Sequence, residues 1–225
     1  MPEEQRPGKP QAWLDLQAEV FALHSVETIV EFEEQIAKGL TYIHGLGIPH
    51  LDLKPENVLL AKQHDGQYVA KLADFGMAFD GSASVSTASA TSSNKGAPLA
   101  ADEVDPNKVS PFGTWEYMAA ECWKRKFGDP CAASDIFSFG LMLWEMLARV
   151  RIYSAFPGVA DIAGPDGNAD VRLVPGRLAS GQRPEAPPQC PALLFKLMQA
   201  CWVHEMDKRP KAVQLLQAVK AIRKK

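Results

Sequence analysis

The sequence predicts an α+β fold that is predominantly helical and contains one small β-hairpin. Three observations support this fold class. Apolar residues recur at helical spacing after Ser25, residues 134–150 are apolar on every face of a helix, and two short apolar runs flank the dipeptide Asp65-Gly66. A 3.6-residue period indicates a helix that packs by one face, whereas an Asp-Gly pair between short β-prone runs indicates a turn between two strands.

The first clear helix begins after Ser25, whose hydroxyl can cap it, and ends at Gly45 and Gly47. A shorter amphipathic helix is predicted before it, over residues 12–24. The apolar positions of the main helix are Val26, Ile29, Val30, Ile36, Leu40 and Ile43. This spacing places one continuous apolar stripe on the helix.

A loop and the hairpin come next in the chain. Pro49 favours extended backbone at its own position and before it, so residues 50–57, with the sequence HLDLKPEN, are predicted to form a loop. The segments 58–61 and 68–73 are short and β-prone, and the Asp-Gly pair between them is a strong turn signal. We therefore expect two antiparallel strands directly after the polar loop.

The rest of the chain predicts helices around a buried one. Residues 134–150 carry apolar side chains all round, which is typical of a helix inside a helical domain. Residues 154–191 are rich in Pro and Gly and are predicted to be mostly loop. Two helices are expected at the end of the chain, over residues 191–204 and 210–225, the second with Pro210 in its first turn.

Two segments are predicted to lie outside the packed structure. Residues 1–10 combine acids and prolines with no apolar core and are expected to be a disordered N-terminus. The composition of residues 81–108 shifts to mostly Ser, Thr, Ala and Gly, so this segment is expected to be a flexible insertion. One domain is therefore predicted over residues 11–225, interrupted by this insertion.

Composition restricts the class of protein. The 225 residues are 46% hydrophobic and 23% charged, which is typical of a globular domain, and the net charge of −3 provides no broad basic face. Nucleic acid and membrane are therefore not expected as partners. The longest apolar run contains Glu145 and is too short to span a bilayer. The cysteines, which are Cys122, Cys131, Cys190 and Cys201, form no C-x-x-C pair, so we expect reduced thiols and a cytoplasmic location.

The polar loop carries a set of residues suited to phosphoryl transfer. Asp52 can accept a proton from a hydroxyl, Lys54 can neutralise a transferred phosphate from the same side of an extended loop, and Asn57 can provide a neutral oxygen ligand. Asp74 follows the second predicted strand, where an exposed carboxylate could hold Mg²⁺ on a triphosphate. The alternative is structural: Asp52 and Asn57 could simply cap a turn.

These residues resemble the motifs of the eukaryotic-type protein kinases. HLDLKPEN is similar to the catalytic loop H-R-D-L-x-x-x-N, and Asp74 to Gly76 reads D-F-G. Residues 113–121, GTWEYMAAE, are similar to the end of the kinase activation segment, with Ala120 in place of the proline of A-P-E. The segments SDIFSFG and CWVHEMDKRP follow in the order of the family. Lys54 and GTWEYM resemble Ser/Thr kinases rather than tyrosine kinases, and the phrases SFG…LWEML and CW…RP resemble the tyrosine-kinase-like group within that class.

The resemblance implies a function and roles for individual residues. It implies transfer of the ATP γ-phosphoryl group to Ser or Thr of protein substrates, with Mg²⁺ as cofactor. Asp52 would orient and deprotonate the hydroxyl, Lys54 would neutralise the phosphoryl group, and Asn57 with Asp74 would bind Mg²⁺. Three structural residues are also implied: Glu121 and Arg209 as a buried ion pair, and Asp135 as the clasp of the catalytic-loop backbone.

The sequence departs from the family in two ways. It contains no G-x-G-x-x-G, and Lys71 belongs to the predicted hairpin, so it is not the strand lysine of the N-terminal lobe. We therefore expect a C-terminal lobe without its N-terminal lobe. Leu51 replaces the arginine of H-R-D, so the usual clamp on a phosphorylated activation segment is not expected. The alternative function is a catalytically inactive, pseudokinase-like lobe that binds a partner protein.

Overall fold

The computed structural model describes residues 25–78, 113–159 and 170–224. The predicted N-terminal tail, the helix over residues 12–24 and the whole insertion at 81–108 lie outside these ranges. In the described part of the chain a two-stranded antiparallel sheet accompanies a set of helices. The elements are α1 (Val26–Gly45), β1 (Val58–Lys62), β2 (Tyr68–Leu72), α2 (Ala120–Trp123), α3 (Ala132–Ala148), α4 (Val174–Ala179), α5 (Ala192–Cys201) and α6 (Ala212–Arg223). The prediction of a mainly helical α+β fold with one hairpin is confirmed.

Helix α1 forms as its sequence predicts. The side chain of Ser25 accepts a hydrogen bond from the N–H of Thr28 at 3.3 Å, which satisfies one of the free donors of the first turn. The helix ends at Gly45, and its apolar stripe is buried against α3, α6 and β2. Burial of this stripe, more than intrinsic helix propensity, stabilises the helix.

The hairpin brings the two ends of the predicted site together. Its register pairs Val58 with Leu72, so the residues just before β1 and just after β2 lie side by side. The N–H of Ala73 donates to the carbonyl oxygen of Asn57 at 2.9 Å and extends the pairing by one step. Because Asp74 follows Ala73, the loop before β1 and the carboxylate after β2 meet at one end of the hairpin.

Helix α1 holds the hairpin in place. The side-chain oxygen of Gln35 accepts a hydrogen bond from the N–H of Ala70 at 2.6 Å. Gly39 faces Leu72, and a Cβ atom on this glycine would lie 3.0 Å from Cδ1 of that leucine. A side chain at position 39 would therefore require the Leu72 side chain to move.

Helix α3 is the buried helix that the sequence predicts. Nearly every residue from Ser134 to Met146 is buried, and the helix packs against α1 and α5. Its first turn is closed by the Ser134 side chain, which accepts a hydrogen bond from the N–H of Cys131 at 3.1 Å. Helix α6 packs against α1 and α5, and the buried residues of these helices form one continuous apolar core with α3.

Two details differ from the prediction. The segment predicted to be mostly loop contains α4 and short 3₁₀ turns at Ile152–Ala155 and Val171–Leu173. Pro175 lies within the first turn of α4, where its missing N–H costs nothing, so it does not break the helix. Pro210 was expected in the first turn of the last helix but precedes the N-cap residue Lys211.

Two further findings concern the cysteines and the helices. All four cysteines are free thiols. Within residues 25–78, 113–159 and 170–224, no helix combines the length and apolarity needed to cross a membrane.

Glu33 is an unusual member of the core. It lies on the apolar stripe of α1 with 1% of its surface exposed, and neither carboxylate oxygen has a hydrogen-bond partner among the described residues. Burial disfavours the charged form and raises the pKa of Glu33 well above its usual value of 4.5. Burial and the Glu33 carboxylate also raise the pKa of the Cys201 thiol.

This carboxylate should make the protein less stable as the pH rises. The folded-state pKa lies above the unfolded value, so the folded state retains its proton more strongly and stability falls as pH rises above about 4.5. We expect Glu33→Met to be about 1–3 kcal/mol more stable than wild type at pH 8, with a smaller gain at pH 5. The free energy of unfolding in urea at the two pH values measures this difference.

Glu34 provides a matched control for this prediction. It is the next residue of α1, but its carboxylate pairs with Arg223 at 3.0 Å near the surface. Glu34→Met should therefore change stability by no more than about 1 kcal/mol and should not stabilise the protein at pH 8. Equal effects of the two substitutions at both pH values would show that the buried charge of Glu33 is not the cause.

Candidate active site

The carboxylate of Asp135 holds the backbone of the polar loop over residues 50–57. This carboxylate is fully buried in the first turn of α3 and accepts hydrogen bonds from the N–H groups of His50 and Leu51, each at 2.7 Å. Nε2 of His44 lies 2.7 Å from the same carboxylate. The backbone of the loop is therefore tied to the central helix and to the end of α1.

His50 is a packing residue of this loop. It is fully buried, its Nδ1 accepts from the N–H of Asp52 at 3.3 Å, and its Nε2 lies 3.0 Å from the carbonyl oxygen of Ala73. This pattern requires the proton on Nε2. The ring also packs against Phe75, with 5.0 Å between ring centroids. Both ring nitrogens are thus used within the protein, which leaves none to act as a base.

Asp52 lies at the centre of a cluster of polar side chains. Its Oδ1 accepts a hydrogen bond from the Thr114 hydroxyl at 2.8 Å, and its Oδ2 lies 3.1 Å from Nζ of Lys54. Lys54 also donates to the Thr114 hydroxyl at 2.5 Å. The amide nitrogen of Asn57 donates to Oδ2 of Asp52 at 2.9 Å and to its backbone carbonyl at 2.7 Å. The carboxylate is therefore fixed in orientation, yet 14% of its side chain is still exposed.

Asn57 and Asp74 supply oxygen atoms suited to a magnesium ion. The amide nitrogen of Asn57 faces Asp52, so the oxygen of the same amide is the atom that could act as a ligand. Asp74 is exposed at the end of the hairpin, and no hydrogen bond or ion pair joins its side chain to another described residue. Mg²⁺ prefers hard oxygen donors and commonly takes one or two carboxylates together with substrate phosphates. The residues present therefore fit this ion.

Glu121 and Arg209 form a buried ion pair. Two nitrogen–oxygen contacts of 2.5 and 3.1 Å join them, and their side chains are 1% and 0% exposed. The Ser134 hydroxyl donates to the same carboxylate at 2.8 Å. The guanidinium also donates to three backbone carbonyls, those of Ala133, Val203 and His204. The pair thus joins α2, α3 and the loop after α5.

The structure also reveals site residues that sequence analysis missed. Thr114 contacts both Asp52 and Lys54, although it is 62 positions from Asp52 in the chain. His44 contacts Asp135 across 91 positions. Thr114 lies within the GTWEYM segment, which was a signal that the region matters, but no spacing rule indicates which residue it reaches.

Gly113 allows the backbone next to Thr114 to approach the polar loop. Its φ of +78° is a left-handed conformation that favours glycine, and a Cβ atom there would lie 2.6 Å from the carbonyl oxygen of Leu51. Leu51 itself has a φ of +62°, which is unfavourable for a residue with a branched side chain. The close contact therefore involves backbone that cannot easily move.

Gly113→Ala should destabilise the protein more than a simple left-handed glycine substitution. Gly47 is the matched control, because it has a similar φ of +77° but no atom within 4 Å of its Cβ position. We expect Gly47→Ala to cost about 1–2 kcal/mol from backbone strain alone. Gly113→Ala should cost at least about 1 kcal/mol more, because the contact with the Leu51 carbonyl adds to the same strain. Urea unfolding of both variants measures the difference, and equal losses would contradict the proposed contact.

Comparison with known proteins identifies the family. A family model described as protein tyrosine and serine/threonine kinase matches residues 16–219. A probable LIM domain-containing serine/threonine-protein kinase of Dictyostelium discoideum is 29% identical over 196 residues, which cover 87% of this chain and 16% of that protein. A putative mitogen-activated protein kinase kinase kinase 7-like protein of Drosophila melanogaster is 31% identical over 193 residues, 83% of this chain and 39% of that protein.

Tyrosine kinases are also among the relatives. The human tyrosine-protein kinase ZAP-70 is 30% identical over 197 residues, which cover 87% of this chain and 26% of that protein. The chain spans between 16% and 39% of the length of these three relatives. The match of the family model extends over most of the chain and includes the loop, the hairpin and the buried helix. The chain belongs to the protein tyrosine and serine/threonine kinase family.

Proposed function

We propose that this chain is the catalytic part of a protein serine/threonine kinase, which transfers the γ-phosphoryl group of ATP to Ser or Thr hydroxyls of protein substrates. The cluster around Asp52 is the observation that carries this proposal. A carboxylate fixed by Thr114, Lys54 and Asn57 but still open to solvent is suited to receive an acceptor hydroxyl.

Asp52 would orient the hydroxyl of the substrate and accept its proton as the oxygen attacks the γ-phosphorus. The bond from that phosphorus to the bridging oxygen breaks, and ADP leaves with the bond electrons. Lys54 lies 3.1 Å from Asp52 and would neutralise charge on the transferred group. Thr114 holds the lysine and the carboxylate in register through its single hydroxyl.

Asn57 and Asp74 would hold Mg²⁺ with their side-chain oxygens. The bound ion would neutralise negative charge on the phosphates of ATP. The hairpin register keeps the two residues at one end of the sheet, beside the loop that carries Asp52. The substrate hydroxyl and the nucleotide would therefore both bind next to the loop over residues 50–57.

The preference for Ser and Thr rests on the residues around Asp52. Lys54 and the GTWEYM segment are the features that resemble Ser/Thr kinases, and their contact through Thr114 gives Lys54 a defined position next to the carboxylate. We also propose that the described residues form the C-terminal lobe of the kinase fold, because they are mainly helical and include the loop over residues 50–57.

Phosphoamino-acid analysis tests the proposed function. The chain is incubated with Mg²⁺, γ-labelled ATP and a mixed peptide library containing Ser, Thr and Tyr acceptors, with the Asp52→Asn chain as background. We expect labelled phosphoserine and phosphothreonine above that background but at a low rate, because the sequence contains no glycine-rich loop to cover the nucleotide. Phosphotyrosine alone would contradict the proposed acceptor. No label above background would favour the alternative, a lobe that binds a partner protein without turnover.

A further inference from the structure

A groove lies between the loop over residues 181–184 and the second half of helix α5. It has a volume of about 340 Å³, and ligand sites commonly measure about 300–1,000 Å³. Pro184, Phe195 and Trp202 contribute apolar surface to it, and the two rings meet edge to face with 6.3 Å between their centroids. None of the residues that line the groove belongs to the cluster around Asp52, so it is separate from the candidate active site.

Arg183 is the charged residue of this groove. Its Nε donates to the carbonyl oxygen of Trp202, and its Nη1 donates to those of Leu178 and Gln182, each at 2.7 Å. A guanidinium carries five N–H donors, so the two on Nη2 have no acceptor among the described residues. Carbonyl oxygens are neutral partners, so they hold the guanidinium in position without balancing its charge.

The surroundings of Arg183 disfavour its positive charge. Burial and the guanidinium of Arg209, which lies over the same ring of Phe137, lower the pKa of Arg183 to about 10. Glu121 opposes this shift, but its two carboxylate oxygens already pair with Arg209. The described residues that line the groove include no carboxylate. An anion bound there would therefore meet a partly buried cation whose charge no other residue of the groove balances.

Two polar side chains complete the groove. Gln199 is exposed on α5, and His204 is exposed just after this helix. The ring of His204 packs edge to face on Phe127, with 5.2 Å between centroids, which gives it a defined position. An amide and an imidazole can both form hydrogen bonds with the backbone of a bound peptide. The groove thus combines one cation with aromatic surface and neutral polar groups.

We propose that this groove is a docking site for an acidic peptide segment of a partner protein, in which a Glu or Asp carboxylate pairs with Arg183 and an adjacent apolar side chain packs against Phe195 and Trp202. Charge complementarity carries the choice of partner, because hydrogen bonds between a guanidinium and a carboxylate are stronger than those between neutral groups. A partner bound here would leave the cluster around Asp52 open. The proposal therefore does not depend on phosphoryl transfer.

A titration with short peptides tests this docking site. The full chain is titrated at low salt with acetyl-Leu-Glu-Phe-amide, and the backbone amide NMR shifts of Gly181, Gln199 and His204 are followed. Acetyl-Leu-Gln-Phe-amide is the neutral probe of the same shape. We expect the acidic peptide to bind at least about tenfold more tightly than the neutral one. The difference should become smaller at about 0.5 M salt, which screens the charges.

Gln199→Glu tests the charge of the groove without changing Arg183. Glutamate and glutamine have similar helix propensity and position 199 is exposed, so this variant should fold as the wild type does. Its carboxylate repels an acidic ligand, so the acidic peptide should lose its advantage over the neutral one. Gln217→Glu makes the same change at an exposed position of α6 outside the groove, and it should leave both affinities unchanged.

Arg183→Gln removes the cation itself. This variant should bind the acidic peptide no more tightly than the neutral one, and its affinity for the neutral peptide should stay near that of wild type. Arg183 also holds its loop through three carbonyl oxygens. If the variant shows no cooperative melting transition, the comparison of Gln199→Glu with Gln217→Glu takes its place.

Three results would overturn the docking site. Equal binding of the two peptides to the wild type would mean that the groove is an apolar surface on which the charge of Arg183 has no role. Equal shifts with sodium acetate alone would indicate a site for small anions and not for a peptide. Shifts of the same amides on raising the protein concentration without peptide would show that a second copy of the chain occupies the groove.

Discussion

Replacing Asp52 with Asn should lower the rate of phosphoryl transfer by a factor of about 10²–10⁴, because it removes the proposed general base. Asn has nearly the same shape and can still accept the hydrogen bond that Thr114 donates to Oδ1 of Asp52. It cannot accept the proton of a substrate hydroxyl, and it removes the ion pair with Lys54. The steady-state rate with Mg²⁺–ATP and a peptide that the wild type phosphorylates measures the loss.

Stability and a distant substitution provide the controls for Asp52. The melting temperature of Asp52→Asn should fall moderately while unfolding stays cooperative, because the amide nitrogen that replaces Oδ2 cannot accept from Asn57 or pair with Lys54, a loss of about 1–3 kcal/mol. Asp65→Asn makes the same chemical change in the hairpin turn, where the carboxylate contacts the N–H of Gln67, and should not change the rate. Turnover of Asp52→Asn near the wild-type rate would rule out Asp52 as the base.

Replacing Arg209 with Met should destabilise the protein by about 3–5 kcal/mol. The substitution keeps most of the side-chain volume but leaves the carboxylate of Glu121 buried without its cation. It also leaves three backbone carbonyls without their donor. A loss of this size is a large share of the total stability of an ordinary domain. The free energy of unfolding from urea denaturation measures it.

Arg183 is a matched control for this prediction. Both guanidinium groups lie over the ring of Phe137, at 5.1 Å for Arg183 and 4.8 Å for Arg209. Arg183 donates to carbonyl oxygens but contacts no carboxylate among the described residues. Arg183→Met should therefore cost only about 1–3 kcal/mol. Similar losses in the two variants would show that the cation–π contact and the carbonyl bonds, and not the buried ion pair, dominate.

The double substitution Glu121→Gln with Arg209→Met distinguishes the effect of an unpaired buried charge from the loss of the other contacts of the arginine. Removing both charges leaves no unpaired buried ion, so this variant should be more stable than Arg209→Met alone. The free energies of unfolding of the single and double variants, from urea denaturation, measure this difference. A double variant that is as unstable as the sum of the two single variants would mean that the two residues do not interact.

Local sequence determined most of the secondary structure of the described residues. The apolar stripe and the Ser25 cap predicted α1, the Asp-Gly turn predicted the hairpin, and the run of apolar residues predicted α3 as a buried helix. These features depend on neighbouring residues in the chain, so periodicity and turn chemistry are enough to predict them. Short elements were predicted less well: α4 contains a proline, and its formation depends on packing more than on local preference.

The candidate catalytic residues were also recognisable from local sequence. Asp52, Lys54 and Asn57 lie within one short loop, and Asp74 follows the paired strand, so the hairpin register alone brings them to one end of the sheet. The catalytic and metal-binding roles of these residues remain predictions. Their proximity follows from a few short-range hydrogen bonds.

Only the tertiary structure decided which distant side chains complete the site. Thr114 reaches Asp52 across 62 positions, and Arg151 reaches Glu56 across 95. Glu33 lies on the apolar stripe, where spacing predicts burial and its charge predicts exposure, and only packing against the core decided in favour of burial. Contacts of this kind depend on how whole elements pack. The spacing of apolar residues along one helix indicates which face is buried, but it does not indicate which residue of another element a side chain will contact.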